Sequence, residues 1–208
     1  MTTQVKYKLG AREDNGLCRV IALAAFSDVA AGDVGGYVES ERNLAHAGDA
    51  WVYGDAWVYG DAWVYGDARV SGNARVYGDA WVAGNAQVYG NARVYGDTRV
   101  SGNARVYGNA RVYGDAWVHG DARVYGDAWV HGDARVSVVC TATPKVITGL
   151  LYTLTITDEH LRAGCQVHTF QDWRTKTERE VLAMDGKAAL VFYKETLIPL
   201  MDALKLGV

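Results

Sequence analysis

Residues 48–83 read GDAWVYGDAWVYGDAWVYGDARVSGNARVYGDAWVA, and this stretch decides the fold. The unit G-[DN]-A-[WRQ]-V-[YSHA] repeats without a break from residue 48 to residue 137. Valine recurs every sixth residue from Val52 to Val136, and glycine every sixth residue from Gly48 to Gly132. Asp or Asn follows each of these glycines. Ala comes next in every hexad but one, where Thr98 stands instead. In A-x-V-x, period two puts Ala and Val on one face of a short strand and the two x residues on the other. The Gly–Asp/Asn pair tolerates left-handed backbone and makes a corner. A strand of four residues cannot bury its small apolar face alone, so it must stack on copies of itself.

Two architectures satisfy this pattern. In a single-stranded left-handed β-helix, three hexads form one triangular coil and residue i stacks on i+18. Ala and Val then fill the interior. In a β-meander, each Gly–Asp pair would be a two-residue hairpin turn. The meander leaves a broad Ala/Val face uncovered in a sheet that should twist and seek a second layer. The β-helix is the preferred reading: mainly β, about five regular coils, and about 24 Å long at the ~4.8 Å strand spacing.

Val52 with Ala56, and Val58 with Ala62, resemble the hexapeptide signature of left-handed β-helix proteins, a family that includes trimeric acyltransferases. One departure is the residue after the inward Val, mostly Tyr here and usually small or acidic in that family. The stretch RVIALAAFSDVAAGDVGGYV (19–38), followed by ESERNLAHAGDAWVYGDA, is similar to a bacterial and prophage YdcK-like group. That resemblance implies a phage or prophage origin and an N-terminal cap.

Composition sets the outer bounds. The chain has 208 residues, half of them hydrophobic, with 24 Gly, 2 Pro and net charge −3. Collagen and a Pro-rich linker do not fit, nor does a global basic field for nucleic acid. No apolar run reaches the roughly 18 residues of a membrane span, and MTTQVKYKLG lacks an apolar signal core. Cys18, Cys140 and Cys165 cannot form a disulfide framework, which suits a reducing compartment. The expectation is a cytoplasmic protein, in the host cytoplasm if phage-encoded.

Three regions are expected: residues 1–47 as N-terminal cap and irregular first coil, 48–137 as the β-helix, and 138–208 as a small α+β domain. Residues 3–30 hold two apolar segments, QVKYKL and LCRVIALAAF, that read as a hairpin over the first coil. A phase slip lies between 32 and 48: Val38 and Leu44 fall in the small-residue phase, and His46 in the Val phase. After Val136 the repeat dissolves. Strands are expected near Leu151–Thr157 and Cys165–Phe170. A Thr177/Glu180 capping box opens a helix that stops at Gly186. A second helix carries Leu190, Tyr193, Leu197, Met201 and Leu204, with Pro199 kinking or splitting it.

Folding the repeat into coils sorts the exterior into columns. Face one carries Trp51, Arg69, Gln87, Arg105 and Arg123. Face two carries Trp57, Arg75, Arg93, Arg111 and Trp129 beside Tyr59, Tyr77, Tyr95, Tyr113 and His131. Face three carries Trp63, Trp81, Arg99, Trp117 and Arg135, with the smallest second column, so it is expected to be the most covered. Trp, Tyr and Arg are enriched at interaction hot spots, which makes Trp57, Arg75, Arg93, Arg111, Trp129, Trp63, Trp81 and Trp117 the candidate partner surface. The alternative is that these residues only stabilise neighbouring coils. The corner column Asp61, Asp79, Asp97, Asp115, Asp133 is wholly acidic and is a candidate cation ladder, against plain solvated turn residues. His160, Cys165 and His168 are a candidate metal cluster, with Cys140 the only further ligand. The alternative there is an ordinary strand with a buried Cys.

No loop interrupts the repeat to carry a catalytic histidine. His119 and His131 stand in the Tyr column as surface substitutions. No catalytic residues and no cofactor are assigned. The reading is a non-enzymatic, phage- or prophage-type protein that engages a macromolecular partner, possibly a host protein, through its Arg/Trp/Tyr faces and C-terminal domain. An acyltransferase-like enzyme and a small structural virion component are the alternatives. The expected partners are a second copy in a homo-oligomer such as a trimer, and another protein. Nucleic acid is disfavoured because the repeat Asp residues offset the Arg charge.

Overall fold

The computed structural model describes residues 5–207. It forms two compact units, Met1–Pro144 and Lys145–Val208. In the first, fifteen strands of two or three residues run from Trp51–Val52 to Arg135–Val136, one per hexad. They pair in parallel with the strand eighteen residues on, as in Trp51↔Arg69 and Val52↔Val70. This register makes three parallel sheets of a β-solenoid of about six turns and rules out the antiparallel meander.

The cause is local. Each repeat glycine has positive φ, from 57° to 75°, so the chain turns a corner where only glycine is unstrained. Between corners, Ala and Val point inward with exposures of 0–1%. Thr98 fits the Ala position because its buried hydroxyl donates to Tyr95 O at 2.8 Å and Gly114 O at 3.2 Å. The coils are joined by parallel backbone bonds such as Trp57 N–H to Ala74 O (2.9 Å) and Arg75 N–H to Ala92 O (2.9 Å).

Each end coil presents strand-edge N–H and C=O groups with no further coil to pair them, and the ends supply partners. Buried Lys6 donates its ammonium to Gly48 O (3.0 Å) and Ala50 O (2.8 Å). Buried Asn43 donates its amide to Gly60 O and Ala62 O, both at 2.9 Å. At the far end the Thr143 hydroxyl accepts from Trp129 N–H at 3.3 Å.

The expected cap hairpin is present as Tyr7–Arg12 paired antiparallel with Cys18–Ala22; residues 3 and 4 of the expected segment lie outside the described residues. Cys18–Ala22 pairs with Val34–Val38, which joins Trp57–Val58 in parallel. The cap therefore extends the sheet of face two. The phase slip is resolved here. Val38 and Leu44 are inward, pairing with Val58 and Val64 at a twenty-residue offset. His46 does not take the Val position; it stacks on Tyr7 at 4.2 Å. At the other end the pattern outlasts Val136. Val124 pairs with Cys140 at a sixteen-residue offset, and Cys140, 0% exposed, fills the inward site.

The second unit is a four-stranded antiparallel sheet, Lys145–Ile147, Leu154–Ile156, His160–Ala163 and Gln166–Thr169. Helix α1 (Phe170–Thr175) follows, opened by a Thr169/Asp172 capping box that the sequence reading missed. Helix α2 (Glu178–Phe192) opens on the expected Thr177/Glu180 box and breaks at Asp185–Gly186. A π-type turn at Tyr193–Leu197, where Ile198 N–H reaches back to Tyr193 O, leads to α3 (Ile198–Ala203) with Pro199 near its start, so the helix widens at the proline rather than ending. The core comprises Leu154, Ile156, Leu161, Trp173, Phe192, Leu197 and Met201.

Two predictions follow from the stack and its cap. A Cβ on Gly78 (φ +70) would lie 2.9 Å from Gly96 N, while one on Gly132 (φ +59) meets nothing within 4 Å. Gly132→Ala should cost about 1–2 kcal/mol for φ alone, and Gly78→Ala clearly more; denaturant midpoints of the two variants test the order. Burial lowers the Lys6 pKa to about 8 from 10.5, against the pull of Asp49 and Asp67. Between pH 8 and about 10.5 the unfolded chain holds more protons at this site, so stability should rise with pH there. Wild type should gain on Lys6→Met across that window; a constant difference would refute the assignment.

Candidate functional site

The outward columns repeat at the coil spacing, so like stacks on like. Tyr59, Tyr77, Tyr95 and Tyr113 form a near-parallel stack with centroids 4.9–5.0 Å apart. Tyr89, Tyr107 and Tyr125 form a second, at 4.8 and 5.0 Å. Burial within the stacks raises the pKa of Tyr59, Tyr77, Tyr89 and Tyr95. Arg guanidiniums cover Trp faces: Arg75 over Trp57 (4.6 Å), Arg111 over Trp129 (4.9 Å), Arg99 over Trp81 (5.4 Å) and Arg135 over Trp117 (5.7 Å). The ring faces within these stacks are already occupied.

The three faces differ in exposure. On face three Trp63, Trp81, Arg99, Trp117 and Arg135 are all exposed. On face one Trp51 is buried, and Arg69 and Gln87 are half-buried. The expectation that face three is the most covered does not hold in the single chain. The cap explains the difference on face one: Phe26 and Tyr7 pack edge-on against Trp51, and Arg69 is paired with Asp28 at 3.0 Å.

The corners settle the charge pattern. Next to face two, the corner amides form a ladder, Asn73 to Asn91 to Asn109 to Asp127, with donor–acceptor distances of 3.1–3.3 Å. The carboxylate ending that column on the N-terminal side, Asp55, is bound to Arg19 at 3.1 Å. Arg75, Arg93 and Arg111 stand in register with one another, with neutral amides at the corner before each and Asp at the corner after, and no ion pair engages them among the described residues. A shallow groove runs along Arg75, Arg93, Arg111 and Trp129 and the corner ladder from Asn73 to Asp127, whose carboxylate lines its far end. Between faces two and three the corners are all Asp. Asp61 pairs with Arg42 at 3.1 Å, and Asp79, Asp97, Asp115 and Asp133 have no ion pair among the described residues. The sequence held the signal for this contrast, the choice of Asn or Asp after each glycine.

The two metal guesses are not assembled. Among the described residues no three His, Cys, Asp or Glu are grouped to hold a metal ion. In the second unit His160 pairs with Thr169 and Leu161 with His168. The two histidines occupy successive cross-strand positions, and so point to opposite faces. His168 packs edge-on against Trp173 at 4.8 Å, and burial lowers its pKa. Cys165 is exposed in the turn, not buried in a strand, and Cys140 belongs to the solenoid. His119 is tilted against Trp117 at 5.0 Å, and His131 caps the Tyr stack at 5.4 Å.

The second unit also contains a cleft of about 240 Å³ that the sequence reading did not foresee. Tyr152, Trp173, Phe192 and Tyr193 line it, with Val181, Met184 and Leu197, and Cys165, Gln166 and Asp185 also contribute. Tyr152 donates its hydroxyl to Asp185 at 2.6 Å, which raises its pKa to about 12. A sealed dry void of that volume would cost roughly 6 kcal/mol at ~24 cal/mol per Å³. That exceeds the ~3–5 kcal/mol a core this small supplies, so the space is tenable only as an open cleft.

The family model described as YdcK Beta solenoid repeat matches residues 68–84, 86–102, 104–120 and 120–132. The chain is a YdcK-like β-solenoid repeat protein. The matched windows fall on the stacked hexads and follow the coil, each of the first three spanning nearly one 18-residue turn. The face-two stripe lies within or beside the YdcK-like windows, whereas the cleft lies outside them. No curated protein matches the chain at a significant level. Among the described residues no helix is long and apolar enough to cross a membrane.

Proposed function

We propose that the chain is a non-enzymatic, left-handed β-solenoid rod that binds a protein partner with an acidic surface along face two. The observation that carries this is the stripe Arg75, Arg93, Arg111, three in-register guanidiniums each preceded by a corner Asn and held in no ion pair among the described residues. The fold does not need it, because Gln87 occupies the equivalent position on face one. In-register like charges repel, and an anionic partner would relieve that repulsion. Arg also suits planar, bidentate carboxylate recognition. A phage- or prophage-encoded modulator of a host protein fits this reading, as does a small virion part.

A second copy of the chain is a further candidate. The exposed column Asp79, Asp97, Asp115, Asp133 has the same coil spacing as the Arg stripe, so the two arrays can be set in register. The enzyme alternative, an acyltransferase-like activity, draws no support from the uninterrupted coils. Turnover of an acyl donor such as acetyl-CoA by the wild-type protein would favour it instead.

The test is Arg75→Gln/Arg93→Gln/Arg111→Gln, which removes charge while keeping a stem to pack. Its thermal midpoint should be unchanged or raised. Partner capture from host lysate at ~150 mM salt, where charges are screened beyond ~8 Å, should fall at least about tenfold relative to wild type. Native mass measurements at low and high salt, on both proteins, show whether a second copy is the partner. Equal capture and an equal assembly state for both proteins would remove face two as the binding surface.

A further inference from the structure

We propose that the cleft of the second unit binds a small, uncharged aromatic molecule of one to two rings. The inference is independent of the Arg stripe. Four aromatic rings form its walls, and they are held in place. Tyr152 meets Phe192 edge-on at 5.0 Å, and Trp173 lies 6.4 Å from Tyr193. Trp173, Val181 and Leu197, 1–3% exposed, form an apolar interior. Offset and edge-on contacts between rings favour an aromatic guest over an aliphatic one.

The polar groups decide the charge of the ligand. Trp173 donates its indole N–H to Leu161 O at 2.7 Å, and Tyr193 its hydroxyl to Trp173 O at 2.6 Å. Those donors are spent inside the protein. No Lys, Arg or His lines the cleft, so a phosphate, carboxylate or sulfonate would enter without a counter-charge and beside the Asp185 carboxylate. Gln166 can offer one neutral hydrogen-bonding group. An apolar cavity of about 150 Å³ holds benzene, and 240 Å³ leaves room for a fused two-ring compound.

The mouth has a defined construction. Helix α2 breaks at Asp185 and Gly186, where Gly186 takes φ +61. Tyr152, from the loop before the second strand of the sheet, bonds to Asp185 across that break. Cys165 stands at the edge as an exposed thiol, whereas Cys18 and Cys140 are buried. A ligand in the cleft should therefore shield Cys165, which makes the thiol a reporter.

The experiment uses the full chain with indole as the uncharged probe and benzenesulfonate as the charged one. The rate of Cys165 alkylation by iodoacetamide is followed by peptide mass spectrometry. Millimolar indole should slow alkylation at least about fivefold with a saturable dose response, and benzenesulfonate should not. Ala189 also lines the cleft; Ala189→Phe, which places a ring there, should abolish any further slowing by indole while leaving the far-ultraviolet circular dichroism near wild type. Calorimetric titration of the wild type with indole gives a second readout that needs no variant, with one site expected. An unchanged alkylation rate with indole, or a non-saturating titration, overturns the proposal. Equal protection by benzenesulfonate overturns the uncharged assignment, and protection retained in a folded Ala189→Phe overturns the location.

Discussion

Everything in the first unit follows from one constraint, the parallel backbone register that sets each residue over the one eighteen places on. It joins Val52 to Val70 and Val94 to Val112, and it also dictates the exterior. Every outward group must live directly above its counterpart in the next coil. For Tyr this is favourable, and the rings stack within 1–6° of parallel. For Asn it is also favourable, because a side-chain amide can donate to one neighbour while accepting from the other. For Arg and Asp it is a cost, since like charges are brought together. The chain meets part of that cost by interposing Trp, so that Arg75, Arg99, Arg111 and Arg135 each rest on an indole one coil away. Arg93 has Arg on both sides. That residual repulsion singles out face two.

The same register leaves an open strand edge at each end. At the N-terminal end the carbonyls of Gly48, Ala50, Gly60 and Ala62 have no preceding repeat coil to donate to them. A cationic amine and a carboxamide are suitable stoppers there, and Lys6 and Asn43 are those groups. Burying an ammonium is costly, which is why its pKa falls. The offsets change only at the ends, to twenty residues at the start and sixteen at the finish. A closed stack tolerates a two-residue change in coil length where it has a neighbour on one side.

The repeat was legible because the Gly, Ala and Val positions are fixed by sterics that recur unchanged, so the coil, its register and its columns could be read from Gly48 to Val136. The ends were less legible. Val38 and Leu44 lie in the wrong phase of the hexad, and only the pairing partners Val58 and Val64 show that they are inward. Cys140 substitutes for a valine across a deletion, which no periodicity reveals. In the second unit the capping box at Thr177 and the stop at Gly186 were visible because they are local. The pairing of His160–Ala163 with Gln166–Thr169 is tertiary. It turned an apparent metal spacing into two histidines on opposite faces. The cleft depends on where three helices pack against that sheet, and nothing in a linear pattern encodes it.

The two units consequently offer partners different things. The solenoid interior is filled by Ala and Val that stack in register with almost no exposure, so it leaves no room for a guest. Any recognition by it must be carried by surface columns whose spacing is fixed at one coil. Such a surface is suited to charge patterns repeated along a line and poorly suited to enclosing a small molecule. The second unit has a conventional core of large side chains held by an antiparallel sheet and a broken helix pair. Bulky rings meeting at a helix break leave concave space, and its interior is apolar because the Trp173 N–H and the Tyr193 hydroxyl are engaged elsewhere. Any selectivity for a small compound therefore resides in Lys145–Val208, and any selectivity for an extended charged surface resides in the coils.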